Sequence, residues 1–240
     1  MVDYSWQART ELLTGTQDIE KLRKAEVLVI GLGGVGAMAA EMLCRAGIGK
    51  MTIVDGDVVM STNRNRQIPA LKSTEGRQKA EIMEQRLMDI NPDLELTVIS
   101  EYVKDQRMID ILESRPFDYV VDAIDTLSPK IYLIYHAMQL GLKLVSSMGS
   151  GAKANPELVK IVDISKTYQC TFAFDIRKRL RRLGIQTGFK AVFSSEPVNK
   201  SSIVHNEDEI NKKSTVGTIS YMPPLFGCFC ASAVIRDLLQ

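Results

Sequence analysis

The fold is decided by the stretch Val27–Gly36, which reads VLVIGLGGVG. Its first four residues are apolar and rich in β-branched side chains, which is typical of a buried strand. Glycines follow at once, and apolar residues then recur at helical spacing as far as Ala46. The pattern predicts a strand, a tight turn and a helix whose N-terminus binds a phosphate.

Each glycine of this turn has an expected task. Gly31 permits the tight turn, Gly33 lets the backbone approach a phosphate, and Gly36 lets the helix pack close to the strand. Gly34 is expected to belong to the same nucleotide-binding turn. A lone motif of this kind also occurs in other α/β proteins. Here a second predicted strand ends in Asp55, 19 residues after Gly36, where an acidic side chain is expected to meet ribose hydroxyls.

Predicted strands and helices alternate through the rest of the first 165 residues. We expect strands over 95–100, 117–121 and 143–147 and helices over 75–90, 106–114 and 129–140; Thr74 would cap the first of these helices, and proline would open the last. This alternation indicates an α/β fold with a doubly wound, mostly parallel, Rossmann-like sheet. Ligands of such sheets bind beyond the carboxyl ends of the strands, where the glycine turn, Asp55, Asp125 and residues 147–151 converge.

The chain divides into three segments of one domain. Residues 1–24 form an expected N-terminal helical arm, anchored by Leu12, Leu13, Ile19 and Leu22, and residues 25–165 a nucleotide-binding domain. Residues 166–240 add a basic segment, a polar loop over 199–214 and a closing helix over about 225–239. Strands over 158–164 and 191–194 are expected to form a smaller, antiparallel C-terminal layer.

Composition narrows the class of protein. With 240 residues, 45% hydrophobic, 25% charged and a net charge of +1, the chain is an ordinary globular one, and any nucleic-acid contact must come from a local patch. We expect no clear membrane segment, because prolines interrupt the apolar stretch 216–235, although a membrane-associated tail stays an alternative. Four cysteines without a CxxC pair indicate free thiols, a cytoplasmic location and no structural zinc.

The bound nucleotide could be ATP or a dinucleotide such as NAD. Backbone N–H groups usually suffice for the pyrophosphate of NAD, whereas attack at the α-phosphate of ATP needs several cations and a metal-binding carboxylate. The chain offers Arg66 and Lys79, with Arg9 as a further candidate, and Asp125 at a strand end where Mg²⁺ could bind. Both histidines fall at places that do not suggest hydride chemistry, so the sequence favours ATP.

Two sets of motifs stand out in the sequence. The first set is Gly31-x-Gly33-Gly34-Val35-Gly36, Asp55-x-Asp57, Asn63–Gln67, Lys79-Ala80 and Asp122–Asp125. The second set is Arg9–Leu13, Thr126, Pro129-Lys130, Lys166, Arg177–Arg182 and Val192–Glu196. The first set, in this order, resembles the ubiquitin-activating-enzyme-like adenylating superfamily. The second set resembles its branch that dehydrates threonylcarbamoyladenosine in tRNA, whereas the four-cysteine zinc site common in its sulfur-carrier branch is missing.

The resemblance implies a role for each matching residue. Asp55 would bind ribose, Asp125 would hold Mg²⁺, and Arg9 would reach across a homodimer into the partner's site. The remaining nucleotide contacts would come from Asn63, Arg66 and Lys79 at the phosphates and from Asp57, Gln67 and Asp122 nearby. The tRNA would be bound by Arg177, Lys178, Arg179, Arg181 and Arg182, for which a solvated helix face is the alternative.

The implied reaction is adenylation followed by cyclisation. The threonyl carboxylate would attack the α-phosphate of ATP, and the neighbouring carbamoyl group would then close a ring and expel AMP, so no protein nucleophile is needed. Cys170, near the basic stretch, is a candidate thiol nucleophile, with a bystander role as the alternative. Two rival functions remain: an adenylating enzyme for a ubiquitin-like or sulfur-carrier protein, and a nucleotide-binding adaptor that partners a cysteine desulfurase or sulfur-relay protein.

Overall fold

A computed structural model describes residues 5–205 and 214–240. Its main sheet has seven strands in the order β3-β2-β1-β4-β5-β7-β6, and all neighbours are parallel except β6 and β7. The strands are β1 (Glu26–Ile30), β2 (Lys50–Val54), β3 (Glu95–Ile99), β4 (Tyr119–Asp122), β5 (Leu144–Ser147), β6 (Val159–Asp163) and β7 (Lys190–Ser194).

Eight α-helices belong to the described part of the chain. They are α1 (Ala8–Thr14), α2 (Thr16–Lys24), α3 (Gly36–Ala46), α4 (Lys79–Ile90), α5 (Gln106–Glu113), α6 (Leu127–Gln139), α7 (Thr171–Arg182) and α8 (Met222–Leu238). The expected doubly wound, mostly parallel α/β fold is thereby confirmed.

Helices cover both faces of the sheet. Side chains of α3, α4 and α8 pack on one face, and side chains of α5, α6 and α7 pack on the other. Because both faces are buried, the central strands read as continuous apolar runs instead of alternating ones. The edge at the carboxyl ends of the strands is left to the connecting loops, which carry the predicted site.

The expected antiparallel layer is placed differently in the structure. Strands β6 and β7 are antiparallel to each other, but β7 pairs in parallel with β5, so the two extend the main sheet. A separate two-stranded antiparallel sheet is formed instead by β8 (Ile203–His205), within the predicted polar loop, and β9 (Ser214–Val216), which begins at the last residue of that loop. Residues 206–213 of that loop lie outside the described residues.

Two predicted helix starts are wrong. Helix α4 begins at Lys79 and not at Glu75, because the Thr74 hydroxyl donates to Pro69 O at 2.6 Å and accepts from Leu71 N at 2.9 Å. Those bonds close a separate short turn. Helix α6 begins at Leu127, two residues before Pro129, which therefore sits inside the first turn.

The N-terminal arm is helical, as expected, but only part of it is anchored. Ile19 and Leu22 of α2 are buried, whereas Leu12 and Leu13 of α1 are 89% and 85% exposed. The prediction that all four leucine and isoleucine side chains anchor the arm is therefore wrong for α1. At the other end of the chain, α8 packs on α3, and no helix in the described ranges is long and apolar enough to cross a bilayer.

Candidate active site at the carboxyl edge of the sheet

The glycine turn joins β1 to α3 in a space that excludes larger side chains. Gly31 has φ of +90° and donates its N–H to Val54 O at 2.8 Å. A Cβ on Gly36 would lie 1.7 Å from Gly31 O, and a Cβ on Gly31 would lie 2.8 Å from Ala123 O. The turn is thus compressed between the N-terminus of α3 and the end of β4, which aims the N–H groups of α3 into the predicted site.

Gly33 and Gly34 differ in what requires them. A Cβ on Gly34 would approach Pro223 Cβ to 2.7 Å and Arg66 O to 2.9 Å, so packing against α8 and the 63–67 loop excludes a side chain. A Cβ on Gly33 would meet only Gln67 Nε2, at the ordinary distance of 3.7 Å. Packing within the chain therefore requires glycine at position 34 but not at position 33.

Asp55 ties the glycine turn to the end of β2. Its Oδ2 accepts Leu32 N–H at 2.5 Å, and its Oδ1 accepts Asp57 N–H at 2.7 Å. Burial raises the pKa of this carboxyl group, and Lys79 and the two N–H donors only partly offset the effect. Asp55 therefore shapes the turn itself, in addition to the ribose contact predicted from sequence.

Asp57 links Lys79 to Tyr102. Lys79 Nζ lies 2.7 Å from Asp57 Oδ2, and the Tyr102 hydroxyl donates to Asp57 Oδ1. The hydrogen bond to Asp57, together with burial and the charges of Asp57, Asp55 and Asp125, raises the pKa of Tyr102 to about 12. The structure thereby ties one predicted site carboxylate, Asp57, to both Lys79 and Tyr102.

The loop between β2 and α4 presents the predicted phosphate-binding side chains. Asn63 Oδ1 accepts Met60 N–H at 3.1 Å and so closes the turn. Arg66 Nη1 donates to Thr62 O at 3.0 Å and to Asn65 Oδ1 at 2.9 Å, which holds its guanidinium group in one orientation. Gln67 lies beside Gly33, and its Oε1 is buried without a hydrogen-bond partner in the described part of the chain.

Asp122 is enclosed and cannot contact a nucleotide in this conformation. Its Oδ2 lies 2.8 Å from Lys130 Nζ and accepts the Ser146 hydroxyl at 2.6 Å, and both charged side chains are 0% exposed. Lys130 also donates to Ile124 O at 2.9 Å. The direct nucleotide contact expected of Asp122 is thus replaced by a supporting role, because the pair fixes the loop that presents Asp125.

Asp125 stands at the tip of that loop with its side chain exposed. The residue before it, Ile124, lies against the glycine turn, because a Cβ on Gly31 would lie 3.3 Å from Ile124 N. In the residues that can be described, no group of three or more His, Cys, Asp or Glu side chains is arranged to hold a metal ion. One exposed carboxylate nevertheless suits Mg²⁺, which is commonly held by one or two carboxylates together with substrate phosphates.

Sequence reasoning missed two residues of this site. Tyr102 could not be assigned to the site from the sequence, because a single tyrosine in the loop after β3 is equally compatible with an ordinary surface position. Lys130 was quoted only as part of a motif, although a lysine in the first turns of an apolar helix must find a partner when that helix is buried. Its partner, Asp122, could have been inferred from its position at the end of the neighbouring strand.

The remaining predicted residues belong to α1 and α7. Arg9 is exposed on α1, and Cys170 is buried at the N-terminus of α7, where its Sγ accepts Ala173 N–H at 3.5 Å. The basic stretch forms the C-terminal part of α7: Lys178, Arg179, Arg181 and Arg182 are exposed, and the half-buried Arg177 donates to the Thr167 hydroxyl. Burial of Cys170 disfavours the thiol route.

Comparison with known proteins supplies the family. The model of the ThiF family matches residues 4–240. The chain belongs to the ThiF family. This match confirms the resemblance of the sequence motifs to the adenylating superfamily. The two similar proteins described next confirm the resemblance to its dehydratase branch.

Two relatives of the family are similar over nearly their whole length. The tRNA threonylcarbamoyladenosine dehydratase of Bacillus subtilis is 36% identical over 240 residues, covering 97% of this chain and 94% of the relative. A crystal structure of the Escherichia coli tRNA N6-threonylcarbamoyladenosine dehydratase in complex with ATP superposes with a TM-score of 0.88 at 31% identity, covering 100% of this chain and 97% of that one. The family match therefore extends to the arm and the basic helix.

Proposed function

We propose that this chain dehydrates threonylcarbamoyladenosine in tRNA, next to the anticodon, in an ATP-dependent reaction. The observation that carries the proposal is the convergence of the glycine turn, Arg66, Lys79 and Asp125 at one edge of the sheet. Similarity to dehydratases over the whole chain supports the choice of substrate.

The proposed nucleotide site uses the polar groups already described. The triphosphate lies over the N-terminus of α3, close to Gly33, with the ribose near Asp55. Asn63, Arg66 and Lys79 bind the phosphates, and Gln67 and Asp57 line the same space. Two cationic side chains, Arg66 and Lys79, suit ATP better than NAD. A triphosphate that is cleaved at its α-phosphorus needs positive charge in addition to backbone N–H donors.

Mg²⁺ is proposed to bind Asp125. When bound there it would neutralise charge on the phosphates of ATP, since a hard cation prefers carboxylate and phosphate oxygens. Lys130 and Asp122 hold the Asp125 loop in place. The carboxylates of Asp55 and Asp57 are already engaged, by two backbone N–H groups and by Lys79 and Tyr102 respectively, so we expect Asp125 to be essential for turnover.

The chemistry then requires orientation more than a protein nucleophile. The threonyl carboxylate attacks the α-phosphorus, forming an acyl–phosphate bond and releasing pyrophosphate. The carbamoyl group of the same nucleoside next attacks the acyl carbon, loses a proton and expels AMP, so the net change is loss of one water. Because attacking group and electrophile belong to one molecule, the effective concentration is high without covalent help from a cysteine.

A homodimer is part of the proposal. Leu12 and Leu13 expose two adjacent large apolar side chains on α1, and Arg9 lies on the same short helix. Contact of α1 with a second copy of the chain would cover these leucines and carry Arg9 toward the partner's site, where a guanidinium group would stabilise charge on the phosphates.

One assay separates this function from its rivals. We expect pyrophosphate release from ATP with tRNA carrying threonylcarbamoyladenosine and none with a ubiquitin-like or sulfur-carrier protein. Release with the carrier protein alone would favour the sulfur-carrier function, and release with neither would favour a nucleotide-binding adaptor. A cytoplasmic location follows from the tRNA substrate, and binding to a cysteine desulfurase or sulfur-relay protein stays a prediction that co-purification tests.

A further inference from the structure

Helix α7 carries an exposed aromatic ring within its basic face. Phe174 is 56% exposed, and Arg177, Lys178, Arg181 and Arg182 follow it at spacings of three, four, seven and eight residues. Side chains at these spacings share one face of an α-helix. We name these five residues the α7 stripe, and they line a surface cavity of ≈ 460 Å³.

Folding of the helix does not account for Phe174. Ala173, Ile176 and Leu180 form the buried face of α7 and pack with α6 and β7 in the core. Phe174 points away from that core, so burial of the helix gains little from its ring. An exposed phenylalanine among four cations is therefore a feature of the surface, not of the packing.

The chemistry of the α7 stripe fits one class of ligand. A flat ring offers a stacking face to any nucleobase, and neighbouring cations bind the phosphates on either side of that base. A partner protein that docks through aliphatic side chains would not need the four cations. Double-stranded RNA would not expose the face of a base to the ring. Charge complementarity and the ring together favour an unpaired stretch of RNA.

The position of α7 connects this surface to the catalytic edge. Gly149 follows β5 at that edge, and a Cβ on Gly149 would lie 3.6 Å from Phe172 Cβ in the first turn of α7. Lys130 Nζ, which supports the Asp125 loop, lies 5.9 Å from the centre of the Phe172 ring. From Phe174 to Arg182 the helix runs about 12 Å farther, at about 1.5 Å per residue.

We propose that Phe174 stacks on an unpaired base of the tRNA substrate while Lys178, Arg181 and Arg182 bind the adjoining phosphates. The proposal rests on the tRNA substrate of the proposed function and adds how that RNA is held. Arg177 supports the stripe, because its guanidinium group is tied to the Thr167 hydroxyl. Arg179 is turned about 140° from Phe174 at about 100° per residue, so it lies off the stripe.

Substitutions at Phe174 test stacking directly. We expect Phe174→Ala and Phe174→Leu, in the full-length protein, to weaken binding of unpaired anticodon-loop RNA and of whole tRNA by about 5- to 150-fold, the range for loss of one stacked base. Phe174→Trp should bind as the wild type does. Leu183→Ala is the matched control, because Leu183 is an exposed apolar residue just beyond the same helix and should leave binding unchanged.

Salt dependence tests the phosphate contacts. Arg181→Gln should lower the slope of log affinity against log salt by about 1, whereas Lys24→Gln, at an exposed lysine of α2 just before β1, should leave the slope unchanged. Wild-type affinity in Phe174→Ala, or equal affinity in Phe174→Leu and the wild type, would overturn stacking. Tighter binding of an acidic peptide than of RNA would assign the stripe to a protein partner and would also overturn it.

Measuring dehydration of the tRNA alongside RNA binding separates the stacking proposal from the proposed function on which it rests. If the wild type dehydrates the tRNA and Phe174→Ala keeps the wild-type KM for tRNA, the stacking proposal fails alone. If the wild type binds RNA through Phe174 but leaves the nucleoside unchanged, the proposed function fails and the binding surface stands. In either case ATP affinity of Phe174→Ala should equal that of the wild type.

Discussion

Lys79 Nζ lies 2.7 Å from Asp57 Oδ2, and the two side chains differ in exposure, at 5% for Lys79 and 44% for Asp57. A buried ammonium group is costly unless a carboxylate compensates it. Asp57 therefore holds a positive charge beneath the surface of the site.

Lys79 is expected to act mainly on the transition state. Lys79→Gln should lower the rate of pyrophosphate release about 10²- to 10³-fold, the range for loss of one preorganised donor to a developing negative charge. Rapid-quench measurement of pyrophosphate checks this. Lys72→Gln, at an exposed lysine of a nearby turn, is the control, and equal rates in both variants would contradict the role of Lys79.

Alanine substitutions of Gly33 and Gly36 should have different effects on the protein. Gly36→Ala places a Cβ 1.7 Å from Gly31 O, so we expect a lower melting temperature and loss of ATP binding together. Gly33→Ala meets only Gln67 Nε2 at 3.7 Å and should fold normally but bind ATP at least about tenfold more weakly, because the backbone there approaches a phosphate.

Calorimetric titration with ATP, alongside thermal unfolding of each variant, separates the two effects. Normal ATP affinity in Gly33→Ala would show that the phosphate does not pass close to this residue. Normal stability in Gly36→Ala would show that the contact between the turn and α3 is less rigid than the structure indicates.

Removal of one partner of the Lys130–Asp122 pair should destabilise the fold. Lys130→Met leaves Asp122 charged in a place with 0% exposure, at a cost of about 3–5 kcal/mol. For a chain of this size that corresponds to a fall in melting temperature of about 6–20 °C. The double variant Lys130→Met with Asp122→Asn should recover part of the loss, and no recovery would contradict electrostatic coupling between the two.

We expect Asp163 to account for part of the loss of folding stability at acidic pH. Burial alone would raise the pKa of this carboxyl group, but hydrogen bonds from Ser165, Gly188 and Thr187 outweigh it and lower the pKa to about 2. The unfolded-state pKa is 3.8, so the stabilisation is complete above that pH and is lost as pH falls from 3.8 to about 2.

Asp163→Asn is therefore expected to be less stable than the wild type at pH 7, with a difference that shrinks between pH 4 and pH 2. Urea unfolding at several pH values measures it, and Asp110→Asn, at an exposed aspartate, serves as the control. A difference that stays constant over this pH range would contradict the assignment.

If α1 forms the dimer contact, substitution of its exposed leucines should change the oligomeric state. Leu12→Asp with Leu13→Asp should convert a dimer into a monomer, because two apolar side chains would be replaced by charges at the contact. Sedimentation velocity measures the outcome. Thr10→Asp with Gln17→Asp adds equal charge to the same arm as a control, and a wild type that is monomeric at assay concentration would remove the dimer from the account.

The parts of the fold that follow a local pattern could be predicted from sequence. The strand of Val27–Ile30, the glycine turn and Asp55 were recognised because strand, turn and helix periodicities change within ten residues. The pairing of β7 with β5 was not, because the partner of a strand is set by long-range packing. The start of α4 was missed because Thr74 bonds backward to Pro69 instead of capping the helix.

The site shows the same division. Arg66, Lys79 and Asp125 were named from motif and charge. The structure places the backbone of Arg66, and that of Ile124 just before Asp125, against the glycine turn. The burial of Asp122 against Lys130 and the role of Tyr102 depend on which side chains face each other across loops. For Tyr102 a single sequence carries no such signal, and for Lys130 and Asp122 the signal is only that a buried lysine needs a partner.

The central claim is tested most directly by the mass of the modified nucleoside after incubation of threonylcarbamoyladenosine-containing tRNA with ATP, Mg²⁺ and the protein. We predict that the nucleoside loses the mass of one water molecule, with one AMP formed for each, and that Asp125→Ala abolishes the change. An unchanged nucleoside mass with the wild type, or full conversion by Asp125→Ala, would contradict the account.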